Sequence, residues 1–105
     1  MKKTHFEVIR HPLLSRDLQQ AIDYYNEKKE YLGNEFYQLA LIQLKTLQKD
    51  ALLYQIRYDD VRCLQIPRFP FMIHYSVDAE QNKIYAHAVI NTSKDPDVNW
   101  KKRSF

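Results

Sequence analysis

The sequence contains one glycine and one cysteine in 105 residues. With Gly33 alone, neither a phosphate-cradling P-loop nor the dinucleotide fingerprint can be written, because each needs several glycines within one short loop. Nucleotide-cofactor chemistry is thereby excluded, and no cofactor is expected. Cys63 alone forbids an internal disulfide and a cysteine-based zinc site, which points to a reducing, cytoplasmic compartment. Long hydrophobic runs are also missing. After two lysines the first residues alternate polar and apolar, so neither a secretion signal nor a membrane span is expected. The four histidines, at 5, 11, 74 and 87, show no metal-ligand spacing, and no nucleophile can be matched to a base along the chain.

What is present suffices for one domain. The composition is 45% hydrophobic and 13% aromatic, enough apolar material for a core and far from the signature of disorder. The formal charge of +3 and a pI near 9.0 lean toward an acidic protein partner or nucleic acid, although ordinary surface lysines would give the same total.

The apolar pattern predicts a strand over residues 4–10, with Phe6 and Val8 on one face and Ile9 opposite, ending at Pro12. From Ser15, read as an N-cap with Asp17 near the positive end of the helix dipole, Leu18, Ala21, Ile22 and Tyr25 recur at helical spacing. After Leu32-Gly33-Asn34 a second helix carries Phe36, Leu39, Ala40, Ile42, Leu44 and Leu47, and the short connection favours an antiparallel hairpin. Beyond Asp50 the period becomes two, predicting strands over 56–66, 71–77 and 84–91. Pro67 and Pro70 lie in the first turn, and residues 78–82 form the second. The run Asp95-Pro96 to Arg103 reads as a short C-terminal helix. The expected fold is therefore α+β, in the order β-α-α-β-β-β: one N-terminal and three C-terminal strands in a small antiparallel sheet packed on the hairpin, because a sheet with an apolar face must be covered.

The segment from Val61 to Val77, with the core Arg68-Phe69-Pro70-Phe71 followed by Ile73 and Tyr75, resembles the signature of RelE/ParE-family toxins. Flanking landmarks agree in order: Asp17-Leu18, Tyr24-Tyr25, Leu32-Gly33 with Phe36, Ala88-Val89, Asp95-Pro96, and Trp100-Lys101-Lys102-Arg103. The resemblance spans nearly the whole chain and implies one toxin domain over residues 1–105. It further implies growth arrest, a place in plasmid-stabilisation and related toxin–antitoxin systems, and an antitoxin encoded beside it that is acidic and partly disordered. Two targets follow from the family: DNA gyrase for ParE-like members, and ribosome-bound messenger RNA for RelE-like endonucleases. Many ParE-like members carry a histidine and paired arginines after the last strand, where this chain has Asn91-Thr92-Ser93-Lys94, so no role transfers there. The nuclease branch typically has several basic residues plus a tyrosine or histidine near its C-terminus, and here the end is Trp100-Lys101-Lys102-Arg103-Ser104-Phe105, which weakens the nuclease assignment.

Metal-independent RNA cleavage requires a base for the 2′-hydroxyl, an acid for the leaving oxygen and cations for the phosphate. Arg62, Arg68, His74 and His87 are the candidates. Either arginine can contact phosphate or a carboxylate in bidentate fashion, or serve in a structural salt bridge. Strand alternation turns His74 away from Ile73 and Tyr75 and toward the face of Met72 and Ser76, where a ligand could meet it. Tyr75 is expected in the core with its hydroxyl satisfied. Arg62, Arg68, Lys94, Trp100, Lys101, Lys102 and Arg103 are the candidates for partner or target contact, with the three terminal cations equally explained by a helix dipole.

Overall fold

The computed structural model describes residues 5–93 and 102–105. Its elements run β1 (Glu7–Arg10), α1 (Leu14–Lys28), α2 (Leu32–Asp50), a short 3-10 turn (Ala51–Leu53), β2 (Ile56–Tyr58), β3 (Val61–Gln65), β4 (Phe71–Asp78) and β5 (Lys83–Asn91). The five strands form one sheet in the order β1-β5-β4-β3-β2. The α+β class and the helical hairpin are as the sequence predicts.

Several details differ, each for a local reason. The strand expected over 56–66 is two strands, because Asp59 adopts a left-handed backbone (φ 48°) and folds β2 back onto β3. The sheet is mixed, since β1 runs parallel to β5 while the other pairs are antiparallel. A helical connection can deliver the chain to either end of a sheet, so no local pattern decides that direction. Ser15 is not a cap: α1 begins at Leu14, and the amide of Leu13 instead donates to His11 Nδ1 (3.0 Å). Ile42 is 56% exposed, because it sits two residues from Ala40 and Leu44 and so opposite the buried stripe of Phe36, Ala40, Leu44 and Leu47. Lys94, Trp100, Lys101 and most of the expected C-terminal helix lie outside the described residues, and residues 102–105 are not helical.

Gly33 lies where the two helices touch. A Cβ there would stand 2.1 Å from the carbonyl oxygen of Ile22, so the hairpin closes only around a residue with no side chain. Its amide donates to Asn26 Oδ1 (2.7 Å), which stands in for the missing side-chain cap of α2. The hairpin covers one face of the sheet, burying Leu14, Leu18, Phe36, Leu44 and Leu47 against Ile73, Tyr75, Ile84 and Val89. Phe6 and Val8 pack on that core as expected, and the buried Tyr75 hydroxyl donates to the Ala51 carbonyl (2.6 Å).

The signature turn is part of this core. Phe36 stacks edge-on against Phe69 and Phe71 at 5.2 Å, and Tyr25 meets Phe69 at 4.8 Å. Gln65 Nε2 donates to the carbonyls of Ile66, Phe69 and Phe71, and holds the turn in shape while Arg68 takes the left-handed backbone (φ 70°).

Candidate functional site

The second face of the sheet is lined by polar side chains that are nonetheless buried. On β5, Ile84 and Ala86 face the helices, but so does Val89; this change of parity requires one extra residue. The ladder supplies it, since His74 pairs with Ala88 while Tyr75 pairs with Ala86, leaving His87 as a bulge. Alternation from Ile84 and Ala86 turns His87 to this second face beside Ser76 on the neighbouring strand, and Ser76 Oγ lies 2.8 Å from His87 Nε2. His87 Nδ1 lies 3.1 Å from the Arg103 carbonyl, which can only accept, so Nδ1 carries the proton. In the neutral ring Nε2 is then the acceptor, and the Ser76 hydroxyl donates to it. Burial pushes the His87 pKa down to about 4, with the nearby Lys102 ammonium adding to the effect, so the ring is neutral near pH 7.

His74 points to this face, as strand alternation predicts, but it is 0% exposed and not open to a ligand. Tyr58 from β2 covers it, with its hydroxyl 2.9 Å from His74 Nδ1. Burial, reinforced by Arg57 and His87, pushes the His74 pKa down to about 4, and burial raises Tyr58 to about 12 and Cys63 to about 11. Residues 102–105 lie across the other half of the face. Lys102 pairs with Asp60 (2.7 Å), and Phe105 stacks edge-on against His87, Tyr85 and His11 at about 5 Å. Arg103 reaches over the sheet edge to Asp17 with two hydrogen bonds, of 2.8 and 3.1 Å. A cavity of about 410 Å³ remains between this segment and Ser76, Tyr85 and His87.

The two strand arginines lie elsewhere. Arg62 alternates onto the helical side, where its guanidinium donates to the carbonyls of Tyr54 (2.5 Å) and Leu52 (3.4 Å) and secures the end of α2. Arg68 pairs with Glu35 at the start of α2 and remains largely exposed. The four proposed catalytic residues therefore do not converge: the histidines share one face, while the arginines sit at two separate places on the other side. Lys102 and Arg103, proposed for partner contact, already hold Asp60 and Asp17.

The fold as a whole is similar to solved structures. A chain of the chromosomal ParDE toxin–antitoxin system from P. aeruginosa superposes with a TM-score of 0.72 at 21% identity, over 84% of this chain and 97% of that one. The chain has the RelE/ParE toxin fold. A chain of the RelBE2 toxin–antitoxin complex from Mycobacterium tuberculosis shares this fold with a TM-score of 0.57 at 13% identity, over 83% of this chain and 98% of that one. Within the RelE/ParE fold, this protein is thus nearer the ParDE chain than the RelBE2 chain. No protein-family model and no curated protein matches the sequence.

Sequence reasoning missed Ser76, Tyr58 and Asp17 as partners in this site. Ser76 shares a face with His74 by simple alternation, a signal that was present in the sequence. Its pairing with His87 was not, because that depends on the register of β4 against β5, which sets Ser76 opposite Tyr85. Asp17 carried the mark of a helix N-terminus, yet it answers to Arg103, 86 residues away, and to the Val89 amide (3.1 Å).

Proposed function

We propose that residues 1–105 form a single toxin domain of a type II toxin–antitoxin pair, ParE-like in action, that arrests growth by inhibiting DNA gyrase in the cytoplasm. A cognate antitoxin, acidic and partly disordered, holds it inactive in a hetero-oligomer. The observation that carries this reading is the dispersal of the nuclease candidates over both sides of the sheet, on a fold nearer the ParDE chain. Inhibition by protein contact needs no assembled acid and base, whereas RNA cleavage does. Purified protein added to a gyrase supercoiling reaction is expected to accumulate cleaved DNA. Normal supercoiling at saturating protein would refute it.

One feature favours a second reading. The neutral His87, oriented by the Arg103 carbonyl and bonded to Ser76, has Lys102 and Arg103 beside it, a base next to cations. This supports a ribosome-dependent, metal-independent messenger RNA endonuclease. Codon-positioned cuts read by primer extension, present only with ribosomes and lost in His87→Gln, would establish it over the gyrase reading. A chain inert in both assays that still binds its antitoxin would be an inactive member.

A further inference from the structure

No nucleophile and base can be matched along the chain, but the sheet brings one such pair together. β4 and β5 run antiparallel with Ser76 opposite Tyr85, and His87 follows two residues later on the same face. Ser76 Oγ donates to His87 Nε2 (2.8 Å), and His87 Nδ1 donates to the Arg103 carbonyl (3.1 Å). That carbonyl only accepts, so it fixes both the tautomer and the tilt of the ring. A hydroxyl bonded to one imidazole nitrogen, with the other nitrogen held by an acceptor, is the arrangement that activates serine for attack on a carbonyl carbon. Burial holds the ring neutral at pH 7, so the base is in its unprotonated form.

Two buried polar groups that merely satisfy each other need no space beside them. This pair has it, for both side chains line the cavity of about 410 Å³ together with Tyr85, Lys102 and Phe105. That volume falls within the range of small-ligand sites, about 300–1,000 Å³. The Tyr85 and Phe105 rings, 5.0 Å apart, make an apolar wall. Lys102 is close enough for its ammonium to help lower the His87 pKa, and it places a positive charge beside the point where an oxyanion would develop. The segment that carries Lys102 and Phe105 is pinned at three places. Lys102 pairs with Asp60 (2.7 Å), Arg103 with Asp17 (2.8 Å), and His11 Nε2 donates to the Ser104 carbonyl (2.9 Å). The cavity is thus held in shape before any ligand arrives.

We propose that Ser76 and His87 form a nucleophile–base pair that hydrolyses small carboxylic esters through an acyl-Ser76 intermediate. Ser76 Oγ bonds to the ester carbonyl carbon as its proton passes to His87 Nε2, and the Arg103 carbonyl stabilises the imidazolium through Nδ1. The bond from that carbon to the alcohol oxygen then breaks, and the leaving oxygen takes the proton from Nε2. Water next gives a proton to Nε2 and attacks the acyl carbon; the bond to Ser76 breaks, Oγ recovers the proton, and the carboxylic acid departs. An ester and water become an acid and an alcohol, with no oxidant or further reactant. The wall of Tyr85 and Phe105 selects a short or aromatic acyl group. This activity stands apart from both toxin readings, since RNA cleavage would turn His87 toward a 2′-hydroxyl and give Ser76 no bond to form.

Para-nitrophenyl acetate tests it on the purified chain, with acetylation located by peptide mapping and its rate followed from pH 6 to pH 8. The acetyl group is expected on Ser76, ahead of Ser15, Ser93 and Ser104, with nitrophenolate released over repeated turnovers. His87→Gln should slow acetylation of Ser76 by about a hundredfold or more, and Ser76→Ala should abolish turnover. Because His87 is neutral throughout this range, the wild-type rate should stay within about twofold, a readout that does not depend on a variant folding. Acetyl groups on lysines alone, or on the other serines to the same extent as Ser76, overturn the proposal. So does a rate that climbs about a hundredfold from pH 6 to pH 8, which would make hydroxide rather than His87 the base. An unchanged rate in a folded His87→Gln overturns it equally.

Discussion

Two buried neutral histidines make stability depend on pH, in a direction that can be worked out. His74 and His87 move from 6.5 to about 4 on folding, so between these values the unfolded chain binds protons that the folded chain does not. Stability therefore rises with pH across this window; it is fully present above about 6.5 and is lost as pH falls toward 4. Linkage gives about 2 kcal/mol lost per histidine by pH 5 and about 3 kcal/mol by pH 4. Together they rival the whole stability of a small domain, about 5–15 kcal/mol. Urea unfolding at pH 7.5 and pH 5 should show the midpoint falling by roughly 2 M or more at the lower pH. His74→Gln/His87→Gln should flatten that dependence even if it is less stable throughout. Asp60 does not confuse the comparison, because its hydrogen bond to Lys102 holds it below its ordinary value. Nuclear magnetic resonance of the two ring Cε1 protons reads the same quantity directly. An unchanged midpoint between pH 7.5 and 5, or rings titrating near 6.5, would refute the reasoning.

Further predictions concern the hairpin and the clasp at the sheet edge. Gly33→Ala sets a Cβ against the Ile22 carbonyl, which cannot yield without parting the helices, and should lower stability by about 2–3 kcal/mol and the melting temperature by about 10 °C. A thermal scan superimposable on the wild type would contradict this. Asp17→Ala and Arg103→Ala each strand a partly buried charge, and Asp17→Ala also strands the Val89 amide. Allowing for the partial exposure of Arg103, each should cost roughly 2–3 kcal/mol. The double variant should lose about 1 kcal/mol less than the two together, and strict additivity in a urea double-mutant cycle would show that the pair is not coupled.

The sequence by itself determined the helical hairpin, the strand-rich second half and the burial of Tyr75, because periods of 3.6 and 2 are written into which residues are apolar. It also determined what the chain cannot be, since one glycine and one cysteine leave no phosphate loop and no disulfide. The landmarks around Arg68-Phe69-Pro70-Phe71 marked the turn that the aromatic cluster closes. Only the tertiary structure decided the direction of β1, the bulge at His87 and the company each charged residue keeps. Residues 62, 68, 74 and 87 looked like one set because they lie near one another in sequence and have suitable chemistry. Alternation, the bulge and the sheet's two faces divide them, and a one-residue change of strand register moves a side chain to the opposite side of the sheet. The partners of Asp17 and His87 come from the far end of the chain, at Arg103, where pairing is fixed by packing in space and leaves no periodic trace in the sequence.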